Sequence, residues 1–270
     1  MTLEHETAEL YAAVEAAYLA FAGYRPGEQS AVCRCGLCLS EWFETRLLST
    51  PLREIEREWL CEYTWAEDVP APTPALDDEV RYFLPRYFEL IAAGDYPHYQ
   101  DWEPTLRRLG KRKFRGKLPA AEVVVIDRYF AVLLAMHFSR PVDWYEVRGE
   151  PRTISEVPDI LCLVAIGGGD IEALLDVWDR DHRPNATAHM ANIVVDVKRS
   201  RELALGSDLG AFWSYVISDS VRVVSWLERP ETAERLAVAR STESEPKMQA
   251  LYAEGEAAVR WLMQAADPTT

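Results

Sequence analysis

Apolar residues recur every three or four positions along most of this chain, with polar residues between them. In the first such segment, residues 6–22, the apolar stripe consists of Leu10, Val14, Tyr18 and Phe21. This spacing places the apolar side chains on one face and predicts a helix. The same pattern predicts further helices at residues 41–48, 77–93, 122–138, 159–166, 170–180, 185–197, 207–228, 231–239 and 247–265.

Residues that start helices precede two of the short segments. Ser40 is placed to cap the helix at 41–48. Thr50-Pro51 predicts another helix that runs to about Tyr63, because threonine caps helices well and proline suits the first helical turn. No Asn-Gly or Asp-Gly turn lies between alternating apolar and polar residues, so no β-hairpin is predicted.

The connectors between these segments suggest how the chain is organised. Residues 69–74 have the sequence Val-Pro-Ala-Pro-Thr-Pro, which is typical of a rigid, extended connector. We therefore expect N-terminal helices with a cysteine-rich loop at 1–68 and a helical domain at 77–266, packed together as one unit. About ten helices joined by short loops predict an all-α fold of stacked antiparallel helices, HEAT-like in the second half.

The composition is that of a globular protein with an acidic surface. Of the 270 residues 49% are hydrophobic, and the formal net charge is −15. Such a charge repels phosphate backbones, so general nucleic-acid binding is not expected.

The basic stretch at residues 107–115 is interpreted as a solvated loop, or as a contact site for an acidic partner. No secretory signal and no apolar run of membrane-spanning length is visible, so a cytoplasmic location is expected.

Cys33, Cys35 and Cys38 form the densest group of potential metal ligands. Thiolates at such short spacing can occupy adjacent corners of a tetrahedral zinc site. Cys61 is the predicted fourth ligand, because the helix at 50–63 could fold back over the loop, and His98 and Cys162 are weaker alternatives. The sequence thus predicts a structural Zn²⁺ bound by these four cysteines. Partly buried free thiols and a redox-active Cys-x-x-Cys are the alternatives.

A second candidate site combines Asp159 with Asp196 and Lys198. Metal-dependent nucleases use a similar arrangement, in which two carboxylates bind Mg²⁺ and a lysine helps to activate water. Those residues belong on adjacent strands, whereas both segments here have helical periodicity, which disfavours this hypothesis.

The acidic, histidine-bearing stretch at 176–189 is interpreted as a solvated helix face with a capped loop, or as a metal site.

Several of these strings resemble an uncharacterised family of bacterial helical proteins. The similar features are Cys-x-x-Cys before a helix, the string Leu-Leu-Ser-Thr-Pro-Leu-Arg-Glu at 47–54, the string Phe-Leu-Pro-Arg-Tyr-Phe-Glu-Leu at 83–90, and the region of Trp178 and 188–191. The resemblance implies an all-helical domain with a metal-binding type of cysteine loop. It implies no activity and no catalytic residues.

The acidity, the helical pattern and the lack of a coherent catalytic motif favour a non-enzymatic protein-binding domain. In its most concrete form, this is an immunity protein, an antitoxin that neutralises a basic bacterial toxin by direct binding. Two alternatives stay open. One is a metal-dependent, nuclease-like enzyme that uses Asp159, Asp196 and Lys198, and the other is a structural or adaptor protein.

Overall fold

A computed structural model describes residues 3–33, 35, 38–66, 74–99, 103–205 and 207–265. These residues form twelve α-helices: α1 (Leu3–Ala20), α2 (Glu41–Ser49), α3 (Arg57–Trp65), α4 (Pro74–Ala92), α5 (Arg107–Lys111), α6 (Ala120–Ser139), α7 (Val157–Ile166), α8 (Ile171–Arg180), α9 (Pro184–Glu202), α10 (Ile217–Leu227), α11 (Pro230–Thr242) and α12 (Pro246–Ala265). Two strands, β1 (Asp143–Val147) and β2 (Glu150–Ile154), form a small antiparallel sheet. The all-α prediction is therefore confirmed.

Local capping explains why several helices begin where the sequence predicts. The Ser40 side chain accepts a hydrogen bond from the Phe43 amide at 3.4 Å at the start of α2. The Asp170 side chain does the same for the Ala173 amide at 3.1 Å, directly after the glycine run at 167–169. Each side chain satisfies an amide that has no partner within the first helical turn.

Among the described residues, no helix combines the length and the apolar character needed to cross a membrane.

The helix predicted from Thr50-Pro51 to Tyr63 is wrong in its first half. Residues Leu52–Glu54 form only a single 3-10 turn, and α3 does not begin until Arg57. Between them Ile55 is extended and fully buried, and its carbonyl accepts a hydrogen bond from Arg86 Nε at 2.9 Å. Burial of Ile55 and the bond to Arg86 together outweigh the local helix signal.

The helix predicted at 207–228 also begins later than expected. Gly210 has a φ of +113°, which no helix accommodates, and the Ser207 hydroxyl donates to the Gly210 carbonyl at 2.6 Å. Residues Ala211–Val216 then form a 3-10 helix, and α10 starts only at Ile217.

The β-hairpin contradicts the prediction that no hairpin occurs. Strand β1 pairs with β2 so that Val147 is in register with Glu150, and only Arg148 and Gly149 connect them. Both connecting residues have positive φ, +54° and +85°, as a type I′ turn requires. Arg-Gly forms this turn in place of the Asn-Gly or Asp-Gly that marks it most clearly in a sequence.

The chain divides into two compact units. The N-terminal unit contains Glu4–Leu133 with Ile166–Gly169, and the C-terminal unit contains Leu3, Leu134–Ala165 and the chain from Asp170 onward. The boundary therefore falls inside α6 and not at the connector between 1–68 and 77–266. The first part of the chain bonds to α4 and to the start of α6, since Tyr18 donates to Glu89 at 2.6 Å and Tyr24 donates to Glu122 at 2.7 Å.

Aromatic side chains form the centre of each unit. In the N-terminal unit, the Phe88 and Tyr129 rings stack at 3.8 Å, and the Tyr129 hydroxyl donates to the Phe88 carbonyl at 2.9 Å. In the C-terminal unit, the fully buried Trp178 ring lies 4.8 Å from that of Phe138 and 5.1 Å from that of Trp226. Contacts of this kind bury large apolar areas and stabilise each unit.

Helix α12 packs against both α9 and α11 in the C-terminal unit. The approach is closest at Gly255, where an added Cβ would lie 3.0 Å from the Cα and Cβ atoms of Ala191. This three-helix layer forms the walls of the cavities described below.

The basic stretch at 107–115 is not a solvated loop. It forms α5 and the 3-10 turn Phe114–Gly116, and Arg108 is buried. The Arg108 guanidinium donates to the carbonyls of Tyr63 and Ala66 and lies 4.4 Å from the centre of the Tyr63 ring. Arg108 thus satisfies carbonyl groups at the end of α3 and is a structural residue.

Candidate metal centre and ligand cavities

The structure brings together three of the predicted zinc ligands. The Sγ atoms of Cys33, Cys35 and Cys38 all lie within 4.8 Å of one another. Bonds of about 2.3 Å from a tetrahedral zinc place sulfur atoms about 3.8 Å apart, so a small adjustment would let all three bind one ion. Cys33 and Cys38 are half-buried and Cys35 is exposed, so the group lies near the surface of the N-terminal unit.

Two buried carboxylates hold the chain that enters the cysteine loop. Glu79 accepts hydrogen bonds from the Ser30 hydroxyl at 2.9 Å and from the Ala31 amide at 3.0 Å. Glu44 accepts from the Ser30 amide at 2.8 Å. Burial raises the pKa of Glu79, which is completely shielded from solvent. These bonds fix the backbone two or three residues before the first cysteine.

Cys61, the predicted fourth ligand, does not belong to this group of thiols. It lies on α3 and is completely buried, and burial raises the pKa of its thiol to about 11. Among the described residues, no fourth cysteine, histidine or carboxylate joins the three.

The residues of the nuclease hypothesis all lie on helices, as their periodicity indicated. Asp159 is in the first turn of α7, and Asp196 and Lys198 are on α9. Asp196 accepts from Arg199 Nη1 at 3.0 Å, and Lys198 pairs with Glu202 at 2.9 Å. Within the described part of the chain, the cysteines are the only cluster of three or more potential metal ligands.

The acidic, histidine-bearing stretch at 176–189 is used by the fold. His189 is buried, its Nδ1 lies 2.9 Å from the Ser155 hydroxyl, and its Nε2 lies 2.9 Å from the Arg140 carbonyl. Because a carbonyl only accepts, Nε2 carries the proton and Nδ1 accepts from Ser155. Burial lowers the pKa of His189, which favours this neutral form. The pair therefore connects α9 to the segment before α7.

A cavity of about 630 Å³ lies in the C-terminal unit, between the end of α8, the start of α9, α11 and α12. Four of its lining residues are acidic: Asp179, Glu231, Glu234 and Glu243. Val238, Ala239 and Tyr252 contribute apolar surface to its wall. The cavity thus combines an apolar wall with negative charge.

The positive charges of this cavity are already engaged. Arg229 Nη2 donates to Asp179 at 2.8 Å. Arg235 donates to the Thr187 hydroxyl and the Trp178 carbonyl, each at 3.0 Å, and to the Asp181 carbonyl. Glu231 and Glu234 are exposed and form no ion pair with any described residue. Two carboxylates at the opening therefore lack counter-charges.

A smaller cavity of about 290 Å³ lies between the hairpin, α9 and the start of α12. Asn192, Asp196 and Arg199 of α9 line one side, and Trp144 and Arg152 of the hairpin line another. Asp196, which the sequence offered as a metal ligand, is paired here with a guanidinium.

No protein-family model matches this chain, and no significant match is found among curated proteins or among solved structures.

Asp179, His182 and Asp196 were visible as candidate residues in the sequence, but the cavities that they line were not recognisable. Glu231 and Glu234 stand three residues apart after Pro230, which indicates one face of a helix but not what lies beside it. Asn192 stands within an apolar segment, and a buried amide of this kind is a detectable signal because it needs hydrogen-bond partners. The cavities form where α9, α11 and α12 pack together. The sequence of a single helix does not indicate that packing.

Proposed function

We propose that this chain is a non-enzymatic binding domain that engages a positively charged protein at the 630 Å³ cavity of its C-terminal unit. The observation that supports this most is the presence of Glu231 and Glu234 at the cavity without counter-charges among the described residues. Lysine or arginine side chains of a partner would supply these charges, while their aliphatic stems contact Val238 and Tyr252. The net charge of −15 would speed the approach of such a partner.

The test is recovery of the partner from the native host by a protein that carries a photo-cross-linking residue at Val238, which is exposed at the cavity. This protein, with Glu231 and Glu234 intact, should yield a stoichiometric, basic partner. The double variant Glu231→Gln/Glu234→Gln should bind that partner at least about tenfold more weakly, which corresponds to roughly 1.4 kcal/mol.

The matched control is Glu146→Gln/Asp176→Asn, which removes two exposed carboxylates of the same unit that do not line this cavity. It should bind like the wild type. Absence of any stoichiometric partner, or equal losses in both double variants, would contradict the proposal.

In its most concrete form the partner is a bacterial toxin, and the chain is its immunity protein. The support is the acidic cavity, since blocking the active site of a basic, nucleic-acid-directed toxin requires complementary negative charge. Co-expression with the product of a neighbouring toxin-like gene should protect cells, and the double variant Glu231→Gln/Glu234→Gln should protect them less. Full toxicity in the presence of wild-type protein would refute this form.

We also propose that the metal of the N-terminal unit is Zn²⁺ and that its role is structural. The support is a set of three thiolate donors at short spacing in a loop fixed by Glu44 and Glu79. The fourth position would be filled by water or by another added ligand. None of the five cysteines forms a disulfide bond within the described part of the chain, which agrees with a reducing compartment such as the cytoplasm.

A further inference from the structure

The 290 Å³ cavity contains a buried acceptor with no partner. Asn192 is only 2% exposed, and its Nδ2 donates to the Thr153 carbonyl at 3.0 Å and to the Thr153 hydroxyl at 2.9 Å. A carbonyl oxygen can only accept, so these bonds fix which end of the amide faces the hairpin. The other end, Asn192 Oδ1, is buried and has no hydrogen-bond partner. A bound donor would satisfy it.

The same cavity offers cations that form no ion pair. Arg152 and Lys247 line it, and no described carboxylate lies within ion-pair distance of either. Lys247 Nζ lies 5.9 Å from the centre of the exposed Trp144 ring, which belongs to β1. A third cation, Arg199, is paired with Asp196. The cavity therefore presents available cations and a free acceptor together.

These groups restrict the chemistry of a ligand. A simple cation would face Arg152 and Lys247, which form no ion pair, and a simple anion would leave Asn192 Oδ1 without a donor. Glu254 of α12 adds a carboxylate to the lining, which favours a donor that is itself positively charged. A small molecule that carries both an anionic group and an ammonium group satisfies all of these requirements. At about 290 Å³ the cavity is at the lower limit of ordinary ligand sites, so the ligand is small.

We propose that this cavity binds a free α-amino acid. Arg152 and Lys247 bind its carboxylate, Asn192 Oδ1 accepts from its ammonium group, and its side chain lies against Trp144. This site is separate from the one proposed for a basic partner, so either proposal can fail while the other holds.

The test is calorimetric titration of the full chain with a panel of α-amino acids, each compared with its N-acetyl and its carboxamide derivative. At least one amino acid should bind saturably, and both derivatives should bind at least tenfold more weakly. The cross-peak of the Asn192 side-chain amide in a ¹⁵N–¹H spectrum should shift on binding.

Arg152→Gln is the diagnostic variant, because Arg152 forms no ion pair that the fold depends on. It should weaken binding at least tenfold with an unchanged melting temperature. The control Arg180→Gln, an exposed arginine of α8 outside the cavity, should bind like the wild type.

Three results would overturn the proposal. The first is no binding by any amino acid at millimolar concentration. The second is undiminished binding of the N-acetyl derivatives, which would indicate an anion site. The third is undiminished binding of the carboxamides, which would indicate a cation site.

Discussion

Gly110 of α5 lies against the backbone of Ile166 at the end of α7. A Cβ atom added to Gly110 would stand 1.9 Å from the Ile166 carbonyl oxygen and 3.2 Å from the carbonyl carbon of Gly167. Gly168 takes part in the same contact, since it has a φ of +80° and a Cβ added to it would lie 3.3 Å from Gly110 Cα. The glycine run at 167–169 is thus a close-packing site as well as a linker.

Gly110→Ala should therefore destabilise the protein by about 3 kcal/mol or more, because backbone atoms must move to relieve the overlap. Urea unfolding of the variant measures this loss. Gly116→Ala, a few residues along the chain, is the control, since no atom lies within 4 Å of the Cβ it would add. Equal stability of the two variants would show that α5 is not in close contact with this turn.

Arg108→Met should lower the free energy of unfolding by about 2–4 kcal/mol. The change leaves the carbonyls of Tyr63 and Ala66 without the donor that Arg108 supplies, and each unsatisfied buried group costs about 1–3 kcal/mol. Arg107→Met changes the neighbouring arginine, which makes no such bonds to these carbonyls, and should be close to neutral. A loss in Arg107→Met as large as that in Arg108→Met would refute the specific role of Arg108.

Stability should fall as the pH is lowered through about 6.5, because of His137 and His189. Burial lowers the pKa of both imidazoles, and Glu156 accepts from His137 Nδ1 at 3.2 Å without reversing this effect. A group whose pKa is lower in the folded state contributes fully above its unfolded pKa, and its contribution is lost as protonation favours the unfolded chain.

Urea titrations between about pH 7.5 and pH 5.5 give the slope of the free energy of unfolding against pH. This range lies above the one in which carboxylates titrate. The double variant His137→Gln/His189→Gln should show a flatter slope, whatever its absolute stability. The control His182→Gln, which changes an exposed histidine, should retain the wild-type slope. A slope that is unchanged in the double variant would contradict the assignment.

Local signals are sufficient for most helices, because periodicity and caps such as Ser40 and Asp170 act within a few residues. They are insufficient where tertiary contacts decide the backbone. Ile55 is extended because it reaches the core and bonds to Arg86, and neither fact is visible near Thr50-Pro51. The hairpin at Arg148-Gly149 escapes prediction because its turn lacks the usual residue before glycine.

In the candidate sites too, local sequence predicts some features and tertiary packing decides the others. Three cysteines within one short loop must lie close together, so their cluster could be predicted from spacing alone. Cys61 is far along the chain from them, and its position depends on how α3 packs. The cavities depend on the packing of several helices, so Glu231, Glu234 and Asn192 could not be assigned to sites beforehand.

The zinc proposal requires that Cys33, Cys35 and Cys38 hold an ion that stabilises the N-terminal unit, and that Cys61 does not take part. Elemental analysis of the purified protein, together with Cys35→Ser and Cys61→Ala variants shown to be folded, tests this without a functional assay. We predict about one equivalent of zinc in the wild type and in Cys61→Ala, and a large loss of zinc and a lower melting temperature in Cys35→Ser. A metal-free wild type would show that the three thiolates form no zinc site, and an equal loss of zinc in Cys61→Ala would show that Cys61 is a ligand as well.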